Sequence, residues 1–137
     1  MNIYYGASIR GENGDSAFNR EIINHLKKYG KVLSEHLFSE HYVQNETLSD
    51  RQIHDRDESW IIQSDRLVME VSSASLEVGY EIRTGLDNLK QILCLFKPQP
   101  GKKLSAMISG APALTIHPYS NLSDAKLGID LFMSVKD

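Results

Sequence analysis

The sequence predicts an α/β fold, a three-layer sandwich around a mostly parallel five-stranded sheet. Two observations carry this expectation. Short β-prone runs alternate with longer segments of helical period along the whole chain. One run, Gln91–Phe96 (QILCLF), is apolar without alternation, as expected of a central parallel strand covered on both faces. The 137 residues suit one domain over 1–137, with no repeat, low-complexity segment or linker.

The elements follow in order. Asn2–Tyr5 is short, aromatic and β-prone, and Gly6 ends it. Asp15–Tyr29 carries Phe18, Ile22, Ile23 and Leu26 at helical spacing, with Gly30 as a natural stop. Lys31–Ser34 (KVLS) reads as a second strand, and His36–Glu46 has no clear period and reads as loop. From Leu48 the pattern is helical again. Ser49 suits an N-cap, and Ile53, Asp57, Trp60, Ile61 and Ser64 share one stripe. Arg66–Val71 is a third strand and Ser75–Leu89 a third helix. After Gln91–Phe96 comes a turn-rich loop, KPQPGKK. Leu114–His117 is a fifth strand and Ser123–Val135 a closing helix.

Composition removes several classes of function. Hydrophobic residues make up 41% and charged residues 24%, ordinary values for a globular chain. A net charge of -3 offers no basic stripe for duplex nucleic acid, although a local site could still hold a small anion. The single cysteine, Cys94, lies inside the apolar run and reads as inert core, which excludes an intrachain disulfide and a cysteine zinc site. His25, His36, His41, His54 and His117 are scattered, so no metal and no cofactor is expected. No stretch approaches the ~20 apolar residues of a membrane helix. MNIYYGAS lacks a basic segment followed by an apolar run, so a cytoplasmic location is expected, or also a nuclear one in a eukaryote.

In open α/β sheets ligands bind beyond the carboxyl ends of the strands. Those ends fall at Gly6–Gly11, Ser34–His36, Ser72–Ser75 and Lys97–Ser105. Gly6, Ala7 and Ser8 let backbone N–H groups approach an anion, and Ser8 and Arg10 suit phosphate. The segment is neither a P-loop nor GxGxxG, and a plain small-residue turn with a surface arginine would look the same. Asp57 shares a stripe with Ile53, Trp60 and Ile61, where a carboxylate costs desolvation. It is either salt-bridged by Arg56 at the stripe edge or a carboxyl with a raised pKa that can donate a proton.

SLEVGYEIRTG holds two more carboxylates. At roughly 100° per residue, Val78, Ile82, Leu86 and Leu89 form one apolar arc. Glu81 lies about 95° from its centre and Glu77 about 135°, so Glu81 is better placed at a boundary between core and cleft. Both lie near a helix N-terminus, where the dipole favours the ionised form. Two carboxylates from separate segments suit glycosidic chemistry, one as nucleophile and one as acid. A phosphate cradle beside them points to a nucleotide as the glycoside.

These segments together resemble the 2'-deoxynucleoside 5'-phosphate N-hydrolase (Rcl-like) family, within the nucleoside 2-deoxyribosyltransferase superfamily. The likeness rests on IYYGASIRG, GKVLSEH, IHDRDESWIIQSD, MEV, SLEVGYEI and QILCLFKPQPGKKLSAMISGA, in family order from Ile3 to about Ala111. The resemblance implies a Rossmann-like sandwich that hydrolyses the N-glycosidic bond of deoxynucleoside monophosphates to free base and 2-deoxyribose 5-phosphate. It places the nucleophile on Glu81, the second catalytic carboxylate on Asp57 and the active-site tyrosine on Tyr4. It places phosphate contacts on Ser8, Arg10 and Ser75, with Ser105 supplied by a second copy, hence a homodimer. His36 falls near the base end, and Ile9, Gly11, Gly79 and Met107 are further substrate contacts.

The chain departs from the family pattern at Glu77, where the family has glycine, and at Ala7, a smaller change. Glu77-Val-Gly-Tyr also fits the wider superfamily's catalytic turn, but the spacing to LKQILCLF favours Glu81. Three alternatives share the fold: a deoxyribosyltransferase, a ribonucleotide (CMP-type) N-hydrolase, and a nucleotide sensor without catalysis. The first would have little use for a phosphate cradle, and the last could dispense with Asp57 and Glu81.

Overall fold

The computed structural model describes residues 1–9 and 15–136. Arg10 and Gly11, two expected substrate contacts, lie outside the described residues. Five strands, β1 (Asn2–Gly6), β2 (Lys31–Val32), β3 (Arg66–Glu70), β4 (Gln91–Phe96) and β5 (Leu114–Pro118), form one sheet in the order β2-β1-β3-β4-β5. Every pairing is parallel. The helices are α1 (Ser16–Leu26), α2 (Tyr42–Asn45), α3 (Asp50–Gln63), α4 (Leu76–Asp87), α5 (Ala106–Ser109) and α6 (Leu122–Ser134).

The three central strands bury both faces, which is why β4 shows no polar alternation. On one face Ile3, Tyr5, Val68 and Leu93 pack with Ile22, Leu26 and Ile129 of α1 and α6. On the other Tyr4, Leu67, Met69 and Cys94 pack with Ile61, Val78 and Ile82 of α3 and α4. Each side chain of this kind stabilises the fold by roughly 1.5–3 kcal/mol when fully buried. α4 lies close on the sheet because Gly85 has no side chain. A Cβ there would come within 2.7 Å of Leu67 and 2.8 Å of Ile92. Burial pushes the Cys94 thiol up to about 12, consistent with an inert core residue.

The order β2-β1-β3 fixes where a ligand can sit. The chain leaves β1 toward one edge of the sheet and β3 toward the other. Their carboxyl ends, paired at Gly6 and Met69, therefore flank a crevice at the switch point.

The start of α3 matches its sequence signal. Ser49 and Gln52 form a capping box, with the Gln52 N–H donating to Ser49 Oγ at 3.2 Å and the Ser49 N–H to Gln52 Oε1 at 3.0 Å. Asp15 and Ser75 cap α1 and α4.

The sheet expected to be mostly parallel is parallel at every strand pairing. Two expectations need correction. His36–Glu46 is not plain loop: it holds a 3-10 turn over Glu35–Phe38 and the one-turn α2. Single turns are too short to show a period, and burial of Leu37 and Phe38 holds the 3-10 turn in place. Leu89 is not part of the apolar arc. It follows the α4 C-cap with φ 58° and 93% exposure, while the Lys90 N–H bonds the Gly85 carbonyl at 3.0 Å, a Schellman ending.

Candidate active site

Strand alternation turns Tyr4 toward α3 and α4 and Tyr5 toward α1. Tyr4 is fully buried, and its hydroxyl donates to Glu81 Oε2. Glu81 sits beyond the first turn of α4, half-buried beside Val78 and Ile82. Asp57 projects from α3, also half-buried. The three line one cavity of about 420 Å³ at the β1 end of the crevice, floored by Gly6 and Ala7 and walled by Ile9, Phe38, Ile61 and Tyr80.

Burial dominates the electrostatics of this cavity. It is the main cause that raises Glu81 to about 8, with the charges of Asp57 and Glu77 adding and the Tyr4 hydrogen bond opposing. The dipole argument made for Glu81 does not apply, because the effect fades beyond the first turn. Burial also raises Asp57, opposed by the hydrogen bond and charge of Arg56. Tyr4 is raised by burial first and by the Glu81 charge second, so it remains a hydrogen-bond donor. Two carboxyls whose ionisation burial opposes thus line one cavity.

The remaining predicted contacts are placed variously. Ile9 lines the cavity. Ser8 lines an adjoining cavity of about 460 Å³, with Ser72, Ser73, Lys97 and Lys102. The Ser75 hydroxyl caps α4 by accepting from the Val78 N–H at 3.3 Å, and donates to Glu77 Oε2 at 3.0 Å. Gly79 has open space where a Cβ would stand. His36 is not in the cavity lining. It lies edge-on to Trp60 and Tyr42, with ring centroids at 5.1 and 5.9 Å, behind the wall that Tyr42 forms. Burial first, and Arg56 second, lower its pKa. Ser105 caps the one-turn α5 and Met107 is 83% exposed, and neither lines the cavity of its own chain.

The sequence reading passed over Tyr42, Glu46 and Tyr80. Arg56 it treated only as a neighbour of Asp57. Arg56 donates to Asp57 Oδ1 and to Glu46 Oε2, both at 2.9 Å, and to the Tyr42 hydroxyl at 3.1 Å. Its place one turn before Trp60 was the available signal. A second buried tyrosine–carboxylate pair, Tyr119 donating to Glu70, ties the end of β3 to the segment after β5. Among the described residues, His54, Asp55 and Glu58 could offer one ligand atom each within 4.8 Å. They lie along α3 near the surface, and the His54 nitrogens already meet Asp55 at 2.9 Å and Tyr80 at 3.0 Å. No described helix is long and apolar enough to cross a membrane.

Glu81, supported by Tyr4, and Asp57 thus line one cavity on a parallel α/β sheet, the pair of carboxylates that glycosidic chemistry asks for. Comparisons with known proteins show the family. No family model matches the chain. A Nematostella vectensis protein provisionally named 2'-deoxynucleoside 5'-phosphate N-hydrolase 1 is 48% identical over 112 residues, covering 80% of this chain and 76% of that protein. The Danio rerio 5-hydroxymethyl-dUMP N-hydrolase is 46% identical over 121 residues, covering 82% and 80%. The chain belongs to the 2'-deoxynucleoside 5'-phosphate N-hydrolase family. Among solved structures, Clostridium botulinum CMP N-glycosidase superposes with a TM-score of 0.72 over 96% of this chain and 99% of that one. At 17% identity that likeness shows the shared fold.

Proposed function

We propose that this chain hydrolyses the N-glycosidic bond of 2'-deoxynucleoside 5'-monophosphates through a covalent glycosyl-enzyme on Glu81. The observation that carries the reading is the convergence of Tyr4, Glu81 and Asp57 on one cavity at the switch point, in a chain of this family. Glu81 in its ionised form attacks the anomeric carbon from the face opposite the base. The carbon–oxygen bond forms as the carbon–nitrogen bond breaks, and the electron pair goes to the base nitrogen, which takes the Asp57 proton. Water then attacks the same carbon and gives its proton to the Asp57 carboxylate. Glu81 departs with its electron pair, and the sugar configuration is retained. The Tyr4 hydrogen bond orients Glu81 and supports its charged form.

Phosphate binding energy positions the sugar in this reading. Ser8, Arg10 and Ser75 supply it from one chain. Ser105 and Met107 reach the site of a second copy, forming a homodimer. That arrangement is supported by their exposure and by Leu76, 92% exposed at the cavity rim. Replacing Glu81 with Ala tests the assignment. Base release from a deoxynucleoside monophosphate falls by orders of magnitude with the fold retained, and near-normal release would move the nucleophile to Glu77. Adding a free acceptor base checks for transfer, since a new nucleotide would show a transferase.

A further inference from the structure

Arg56 and Asp57 are consecutive on α3, and consecutive helical side chains do not face each other. A guanidinium reaches its neighbour's carboxylate from that position only if something turns it there. Here three groups do so. Glu46 Oε2 accepts from Nη1 at 2.9 Å, the Tyr42 hydroxyl accepts from Nη2 at 3.1 Å, and the Trp60 ring lies 4.9 Å from the guanidinium carbon. Glu46 is itself fixed as an anion: the Tyr42 hydroxyl foremost, then Arg56, hold it down at about 2. The remaining donor, Nε, points at Asp57 Oδ1 at 2.9 Å. Both Arg56 and Glu46 have mostly buried side chains, with 18% and 10% exposure.

We propose that Arg56 is a positioning residue that decides which oxygen of Asp57 carries the proton for the leaving base. Oδ1 accepts the Nε–H bond and cannot carry a proton along the same direction. Oδ2 has no partner among the described residues, and Asp57 lines the cavity. The proton therefore sits on Oδ2 and faces the substrate. Without the clamp, the carboxyl can rotate and turn its proton away from the base. Misplacement of a reacting group by about 1 Å costs on the order of a hundredfold in rate. This inference rests on Asp57 as the proton donor proposed above.

The experiment compares two substrates in wild type, Arg56→Met and Arg56→Lys. One is an ordinary purine deoxynucleoside 5'-monophosphate, whose base needs a proton to leave. The other is its N7-methylated analogue, whose base is already cationic and leaves without one. Arg56→Met lowers kcat on the ordinary substrate by about 10- to 100-fold with KM little changed, and by less than about threefold on the methylated one. Arg56→Lys, a flexible point charge without the fork, falls in between. On an Asp57→Asn background, Arg56→Met adds no further loss. Equal losses on both substrates, or full kcat in the folded fraction, overturn the proposal. Should Arg56→Met not fold, Arg56→Lys is read by the same ratio. Failure of the wild type to release base from either substrate would instead sink the proposed function.

Discussion

Replacing Tyr4 with Phe isolates the support that β1 gives to Glu81. The ring stays in a fully buried site and only the hydroxyl that bonds Glu81 is lost, so packing is preserved. Burial already raises Glu81 to about 8, and the Tyr4 bond is the influence that pulls it down. A hydrogen bond to a charged group is worth about 1.5–3 kcal/mol, and about 1.4 kcal/mol corresponds to one pH unit. The acid limb of kcat/KM should therefore move up by about one to two pH units. At neutral pH about one-tenth of wild-type Glu81 is ionised, and the variant has about 10- to 100-fold less of that form. Base release from a deoxynucleoside monophosphate, followed across pH, reads both effects. An acid limb in its wild-type place, with activity at neutral pH within about threefold, would refute the claim that Tyr4 supports the charged glutamate.

Further outcomes follow from the same geometry. Glu81→Gln should stabilise the fold at alkaline pH. Glu81 has a raised folded pKa, so its contribution is present below the unfolded value of 4.5 and is lost as pH rises through about 8. The Tm difference should widen on passing from acid to alkaline buffer, and a constant difference would contradict this. Glu77→Gln removes a negative charge from the Ser75 hydroxyl, worth about 1 kcal/mol near a phosphate. KM for a 5'-monophosphate should fall about fivefold, with KM for the unphosphorylated nucleoside unchanged. Leu89→Gly relieves a left-handed residue whose side chain is 93% exposed. Stability should rise by about 0.5–1 kcal/mol in a denaturant titration, and a loss would show that Leu89 packs against something.

How much of this was legible in the sequence depended on length and burial. The unbroken apolar run Gln91–Phe96 marked β4 to the residue, because a strand covered on both faces leaves a continuous signal. Ser49 marked its helix through cap chemistry, which is local. α2 and α5 escaped, since four-residue helices complete barely one turn of periodicity. At the site, the margin position of Glu81 and the stripe position of Asp57 were readable from helical geometry. A raised Asp57 pKa was one of two readings of its stripe position, but the protonation of Glu81 was not readable, because burial outweighs the helix dipole and depends on which strands and helices enclose the cavity. Arg56 was visible only as a neighbour of Asp57. Its other partners, Glu46 and Tyr42, come from a segment with no recognisable period. Ser75 was expected to await a phosphate, yet its hydroxyl is shared between its helix cap and Glu77.

The most direct test of the account uses the unaltered protein. Deoxynucleoside 5'-monophosphates, the matching ribonucleotides and the free deoxynucleosides are each incubated with the wild type, and released base is measured. Base should be released from the 5'-phosphorylated deoxy substrates, with 2-deoxyribose 5-phosphate formed in equal amount. Release from unphosphorylated nucleosides at the same rate, or from none of the deoxy substrates, would contradict it.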